Sequence, residues 1–217
     1  MTFDKIILTS AYLAPIQYYS LYYYHIPVFI ENAEHYTKQS YRNRTVIYTA
    51  NGIHPLVIPV IKNSGQKTDI RDIRIDYSIA WQKNHFMAIL SAYKNAAFFE
   101  HFIDELHSCI FTGEKFLFDF TLRIHKHVLQ WLGLPEKIFF TNQYIKSYNA
   151  GVLDMRNVIQ PKSNSQKTDH FFHNKPYFQV FADRHGFYPG ISVIDLLFNL
   201  GSLNAIEYLS DHRQSFN

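Results

Sequence analysis

Apolar and polar positions alternate along this chain in two distinct rhythms. Lys5-Ile6-Ile7-Leu8-Thr9-Ser10 is a short continuous apolar run between polar ends, and Val28-Phe29-Ile30 is a second one, closed by Glu31. Pro15 stands between them where a helix can begin, so Ile16 to Tyr24 reads as a helix that Pro27 terminates. Continuous apolar runs of this length fit strands covered on both faces, and the opening is therefore a β-α-β unit with two parallel strands. Thr45-Val46-Ile47-Tyr48 and Pro55 to Val60 follow as strands around Ala50-Asn51-Gly52, a hairpin signal. Pro59 places the second strand at an edge or ends it. After a polar tip from Asn63 to Thr68, Ile73-Arg74-Ile75-Asp76-Tyr77 alternates as a half-buried strand does.

The rhythm then changes to that of helices. Phe86, Ile89, Leu90, Tyr93 and Ala97 share one face, as do Phe99, Phe102, Ile103, Leu106 and Ile110. Leu117, Phe120, Ile124, Val128 and Trp131 mark a third helix from about Glu114 to Leu132, stopped by Gly133 and Pro135. Lys137 to Thr141 reads as a further buried strand. The stretch from Gly151 to Asn174 is the least patterned, and it predicts a mobile loop at about 154–174. Order returns at Tyr177 to Phe181, and Ser192 to Gly201 is a short helix with a Ser…Asp start and a glycine stop. The expected fold class is α/β: an N-terminal β-α-β unit with a mainly parallel sheet, a β-hairpin insertion, and a helical part at about 80–132 packed on it. No repeat or long linker divides residues 1–217, so one domain is expected.

Composition adds a binding surface to this picture. Tyr, Phe and Trp make up 17% of the chain, enough for a core and a ring-lined cleft. The net charge of +3 comes from basic residues spread along the chain, which fits a small anionic ligand and not a nucleic acid. Cys109, the single cysteine, excludes an internal disulfide and reads as a buried thiol. No apolar run approaches a membrane span, and Met1 to Lys5 lacks the pattern of a secretory leader, so no membrane insertion and a cytoplasmic location are expected.

Candidate chemistry concentrates between Glu31 and Arg44. If Glu34 to Arg44 is helical, Glu34, Lys38 and Arg42 line one solvated face; if it is extended, Lys38, Arg42 and Arg44 share a face that suits an oxyanion. The β-α-β topology would bring Tyr12 and Gln17 toward Glu31 and Lys38. Glu31 is a candidate general base, and His85, four residues after Trp81, a candidate for proton transfer or a helix-start residue bonded to backbone. Asp195 fits the free amides of a helix start. His125 and His127 are wrongly spaced for a zinc pair on a helix, His170 and His173 have no cysteine or metalloprotease glutamate beside them, and no phosphate-binding glycine loop occurs. No metal and no cofactor are expected.

Ala11-Tyr12-Leu13-Ala14-Pro15-Ile16-Gln17-Tyr18-Tyr19, Val28-Phe29-Ile30-Glu31, Lys38-Gln39-Ser40-Tyr41-Arg42-Asn43-Arg44, Leu56-Val57-Ile58-Pro59-Val60 and Asp195-Leu196-Leu197-Phe198-Asn199-Leu200-Gly201 together resemble the WbqC-like family, in the family's order. The resemblance departs at Thr9-Ser10-Ala11, where many members carry His-Gln-Pro. It departs again at Asp154 to Lys162, which replaces a small-residue loop. It implies a bacterial protein of surface-polysaccharide (O-antigen) assembly that transfers an amino-acid, acyl or glycosyl group onto a sugar. The positions that match are Tyr12, Glu31, Lys38, Gln39, Arg42, Asn43, Arg44, Trp81, His85, Asp195 and Asn199. On this resemblance Lys38, Arg42 and Arg44 neutralise the phosphate of a sugar-nucleotide-like ligand, Glu31 or His85 takes a proton, and Tyr12 and Trp81 wall a cleft. A non-catalytic binding protein of the same pathway is the alternative.

Overall fold

The computed structural model describes residues 3–61, 67–161 and 172–211. In chain order its elements are β1 (Lys5–Thr9), α1 (Ile16–Ser20) running into a 3-10 turn (Leu21–Tyr24), β2 (Val28–Glu31), β3 (Arg44–Thr49), β4 (Gly52–Val57), β5 (Val60–Ile61), a 3-10 turn (Ile70–Asp72) and β6 (Arg74–Ile75). There follow α2 (Trp81–Tyr93), α3 (Phe99–Ile110), α4 (Leu117–Trp131), β7 (Phe139–Phe140), β8 (Val152–Asp154), α5 (Ala182–His185) and α6 (Val193–Asp211).

β1 and β2 pair in parallel, Ile6 opposite Val28 and Thr9 opposite Glu31, with β7 outside β2 and β8 on the far side of β1. All pairs in this four-stranded sheet are parallel. Ile6, Ile7 and Leu8 are buried, on both faces of β1. At about 1.5–3 kcal/mol for each such side chain, that burial is what holds so short a sheet together. Antiparallel β3 and β4 form the hairpin, and β5 pairs with β6. Thr49 faces Gly52, so Ala50 and Asn51 are the two linking residues and Gly52, at φ +93°, takes the left-handed position just inside the strand.

Helices α3 and α4 bury the faces that the sequence marks, with Leu106, Phe120 and Val128 in one continuous core; α2 buries Trp81, His85, Ile89, Ala92 and Tyr93, while Phe86 and Leu90 of the expected face are only partly buried and Ala97 is exposed beyond the helix end. Leu13, at φ 43°, turns the chain after β1, and its carbonyl accepts hydroxyl hydrogen bonds from Thr45 (2.7 Å) and Ser192 (3.0 Å). The loop before α1 is thereby tied to the hairpin and to the start of α6.

Four further expectations of the fold change. Glu34 to Asn43 is neither helix nor strand but an isolated bridge at His35 followed by turns, with Arg44 opening β3, because Arg42 folds back onto Glu34 and residues 34–36 pair with 68–70 instead. The loop expected at 154–174 begins with Asp154 still in β8, and Met155, Arg156 and Ile159 are buried beyond it; residues 162–171 lie outside the described ones, as do 62–66 of the polar tip. At the start of α6 the Asp195 amide donates to the Ser192 backbone carbonyl (3.0 Å), not to its side chain, and the Ser192 hydroxyl donates to the Leu13 carbonyl. Finally, Gly201 breaks α6 at φ 73°, ψ 173°, but helix resumes directly after it.

Candidate functional site

In a parallel sheet every strand delivers its carboxyl end to the same edge, the usual place for a ligand in this fold class. Here β2 ends at Glu31, β8 at Asp154, and Thr141 follows β7. Arg156, two residues beyond β8, turns back over this edge. Its Nη1 donates to Glu31 (2.9 Å), Nε and Nη2 donate to Asp154 (2.8 and 2.6 Å), and Nη2 also donates to the Ile145 carbonyl (2.7 Å). The Tyr144 and Tyr148 rings each lie 5.0 Å from the guanidinium carbon. Burial opposes the Arg156 charge, but Asp154 and Glu31 more than offset it and hold its pKa above the usual arginine value. Glu31 is fully buried and also accepts from the Thr141 hydroxyl and the Ala33 amide.

Beside this group Arg42 grips Glu34 with two nitrogens, Nε at 2.7 Å from Oε1 and Nη2 on Oε2, and both residues are buried. Burial pushes the Glu34 carboxyl above its ordinary value and Arg42 pulls it back in part. Glu34, Arg42 and Arg156 form the floor of a cleft of about 390 Å³ whose rim includes His35, Tyr36, Lys67, Tyr144 and Asn157. On the rim, His35 Nδ1 lies 2.9 Å from an Asp69 carboxylate oxygen, and both side chains are about half exposed.

The other expected site residues lie in different places. Lys38 and Gln39 are exposed on the turn, Gln39 at φ 58°. Arg44 is half-buried, its Nε without a hydrogen-bond partner among the described residues, and Asn43 donates to the Ile58 carbonyl (2.8 Å). Tyr12 does not approach Glu31 or Lys38: its hydroxyl meets His85 Nδ1 at 3.0 Å, the two rings stack, and Trp81 meets His85 edge-on. Burial lowers the His85 pKa to about 4, so the ring is neutral near pH 7. Gln17 lies against Gly190.

A third group surrounds Asp195, which is completely buried and receives hydrogen bonds from the Tyr177 and Tyr93 hydroxyls and from Gln179. Its carboxylate meets these side chains, not helix amides as expected, and burial raises its pKa to about 6. Asn199 donates to the Asp195 carbonyl at 2.8 Å. Cys109 is buried, its thiol pushed up to about 11 by burial.

Thus of the charged residues expected around one pocket, Arg42 lies on the cleft floor and Glu31 directly behind it. Sequence reasoning passed over Arg156, Asp154, Thr141, His35 and Asp69. One signal was present: Val152-Leu153-Asp154 repeats the form of Val28 to Glu31, an apolar strand closed by an acid.

These features define an α/β protein with an ion-paired, polar cleft at the carboxyl edge of a short parallel sheet. Within that class the chain belongs to the WbqC-like protein family, whose model matches residues 10–168. It is similar to an uncharacterized protein, Rv1507c, of Mycobacterium tuberculosis, at 27% identity over 82% of this chain and 85% of that protein. No solved structure matches it. The family match takes in Glu31, Arg42, His85 and Arg156 and ends before Asp195. Among the described residues no helix is long and apolar enough to cross a membrane, and no group of His, Cys, Asp and Glu could hold a metal ion.

Proposed function

We propose that the protein is a transferase of bacterial surface-polysaccharide (O-antigen) assembly, moving an activated amino-acid, acyl or glycosyl group onto a sugar held in the cleft. The cleft is the observation that carries this reading. At about 390 Å³ it falls within the size range of small-molecule sites, and its lining mixes charged groups with Tyr36 and Tyr144, a combination suited to a hydroxyl-rich ligand bearing a charge. Arg42 and Arg156 are already neutralised by Glu34, Glu31 and Asp154, so they orient a ligand's oxygens through remaining N–H groups and add little net positive field. Lys67 on the rim supplies the positive charge toward a phosphate.

The test is thermal shift with nucleotide sugars, acyl thioesters and amino acids, on the wild type and on Tyr144→Ala and Asn157→Ala, two exposed lining positions. A ligand at a hundredfold its Kd stabilises by about 2.7 kcal/mol, roughly 5–10 °C for a chain of this size. Such a rise in the wild type, reduced in both variants, is the expected result; equal shifts in all three would remove the ligand from this cleft. A second reading, a binding protein without turnover, draws support from the enclosure of Glu31 and His85, whose polar atoms are engaged with Arg156 and Tyr12. It expects the same shifts with no product.

A further inference from the structure

We propose that His35 is the proton-transfer residue of this cleft, with Asp69 fixing its ring, and that it acts on a hydroxyl or amine of the acceptor. The proposal rests on the transferase reading and assigns that reading its base. The backbone creates the pair. Tyr36 N donates to Thr68 O and Ile70 N to Glu34 O, both at 2.9 Å, which places His35 and Asp69 directly opposite each other in an antiparallel bridge. They occupy the non-hydrogen-bonded type of site, where facing side chains come closest. Asp69 immediately precedes the 3-10 turn (Ile70–Asp72), where an aspartate ordinarily caps backbone amides, yet its side chain makes no cap hydrogen bond. The carboxylate goes to His35 Nδ1 instead.

With Nδ1 as the donor to Asp69, Nε2 is the acceptor nitrogen on a ring that lines the cleft beside Glu34, Arg42 and Lys67. An imidazole oriented by a carboxylate in this manner is an arrangement that general-base catalysis uses. Two buried histidines lie away from this cleft. His85 and His125 are buried and hydrogen-bonded to tyrosines, with pKa values lowered to about 4 and about 3.

In the step, the acceptor's O–H or N–H proton passes to Nε2 as its oxygen or nitrogen bonds to the electrophilic carbon of an activated acyl or glycosyl donor. The bond from that carbon to the phosphate or thiolate leaving group breaks, and the electron pair departs with it. The proton on Nε2 then passes to the leaving group or to water. Asp69 acts as a positioning residue.

The experiment needs no substrate and is therefore independent of the ligand screen. Wild type, Asp69→Asn and His35→Gln are treated with limiting diethyl pyrocarbonate, and modification of each histidine is followed by peptide mass spectrometry, with exposed His54 and His101 as internal references. The expected result is modification of His35 at least tenfold faster than of the references, falling to their level in Asp69→Asn, with melting temperatures unchanged. A His35 rate equal to the references, or an excess that survives Asp69→Asn, overturns the proposal. A positive ligand screen with no excess would leave the transferase reading standing and remove His35 as its base.

Discussion

Arg42 and Glu34 are both buried and each supplies the other's counter-charge, which constrains how the site can be probed. Removing one partner of a buried pair strands an uncompensated charge, at a cost of about 3–5 kcal/mol. Arg42→Ala should lower the unfolding free energy by about that amount in urea titrations, whereas Arg42→Met combined with Glu34→Leu should recover most of it, because no lone charge remains. Loss of ligand binding in Arg42→Ala alone would thus report on folding as much as on recognition. Asp195 offers a second residue-scale test. Its carboxyl is raised by burial to about 6 in the fold, against about 3.9 in an unfolded chain. The unfolded state releases the proton first, so the stabilising contribution is complete below about pH 4 and is lost as pH rises through about 6, a change of about 3 kcal/mol. Denaturant unfolding of wild type and Asp195→Asn at pH 4 and pH 7.5 should show a stability difference between the two proteins that changes by about that amount; a constant difference would mean that Asp195 carries no such proton.

At the scale of elements, the break in α6 is a backbone requirement. Gly201 sits at φ 73°, ψ 173°, a region open to glycine alone, and an added Cβ would fall 2.7 Å from Phe98 Cδ1. Gly201→Ala should cost about 2–4 kcal/mol, read as a lowered urea midpoint. Adding Phe98→Leu should return only the steric part, because the backbone strain is untouched. The sequence showed that the helix stops at Gly201, since a glycine there is a stop signal, but not that another helix begins, which depends on how Ala205 and Leu209 are buried against the core. The same distinction separates the elements that were legible from those that were not. β1, α1 and β2 announce themselves through continuous apolar runs with a proline between them, and α3 and α4 through helical periodicity. β8 is three residues long and exists because β1 offers it a ladder. The turns from Glu34 to Asn43 are set by pairing with residues 68–70, and no local pattern contains that partner.

Across the whole molecule, the candidate site was half legible for the same reason. Glu31 could be picked out because it closes an apolar run, but the guanidinium that pairs with it comes from 125 residues away. Arg156 is the point where β2, β8 and the segment around Ile145 are joined, so it couples the site to the sheet's integrity. Lysine at this position keeps the positive charge but has one nitrogen and lacks the planar fork needed to meet Asp154, Glu31 and Ile145 together. Arg156→Lys should therefore leave Glu31 or Asp154 incompletely paired at the sheet edge and cost about 3 kcal/mol, the lower end for breaking a buried pair. The loss should also be local in a specific pattern. Amide exchange should accelerate at the end of β2, in β8 and across residues 144–156, which the guanidinium joins, before it does in α3 and α4, whose faces are buried independently. Uniform acceleration across all elements would show that Arg156 contributes only to global stability. Acceleration confined to the carboxyl edge would show that the residues forming the cleft floor open as one unit around it.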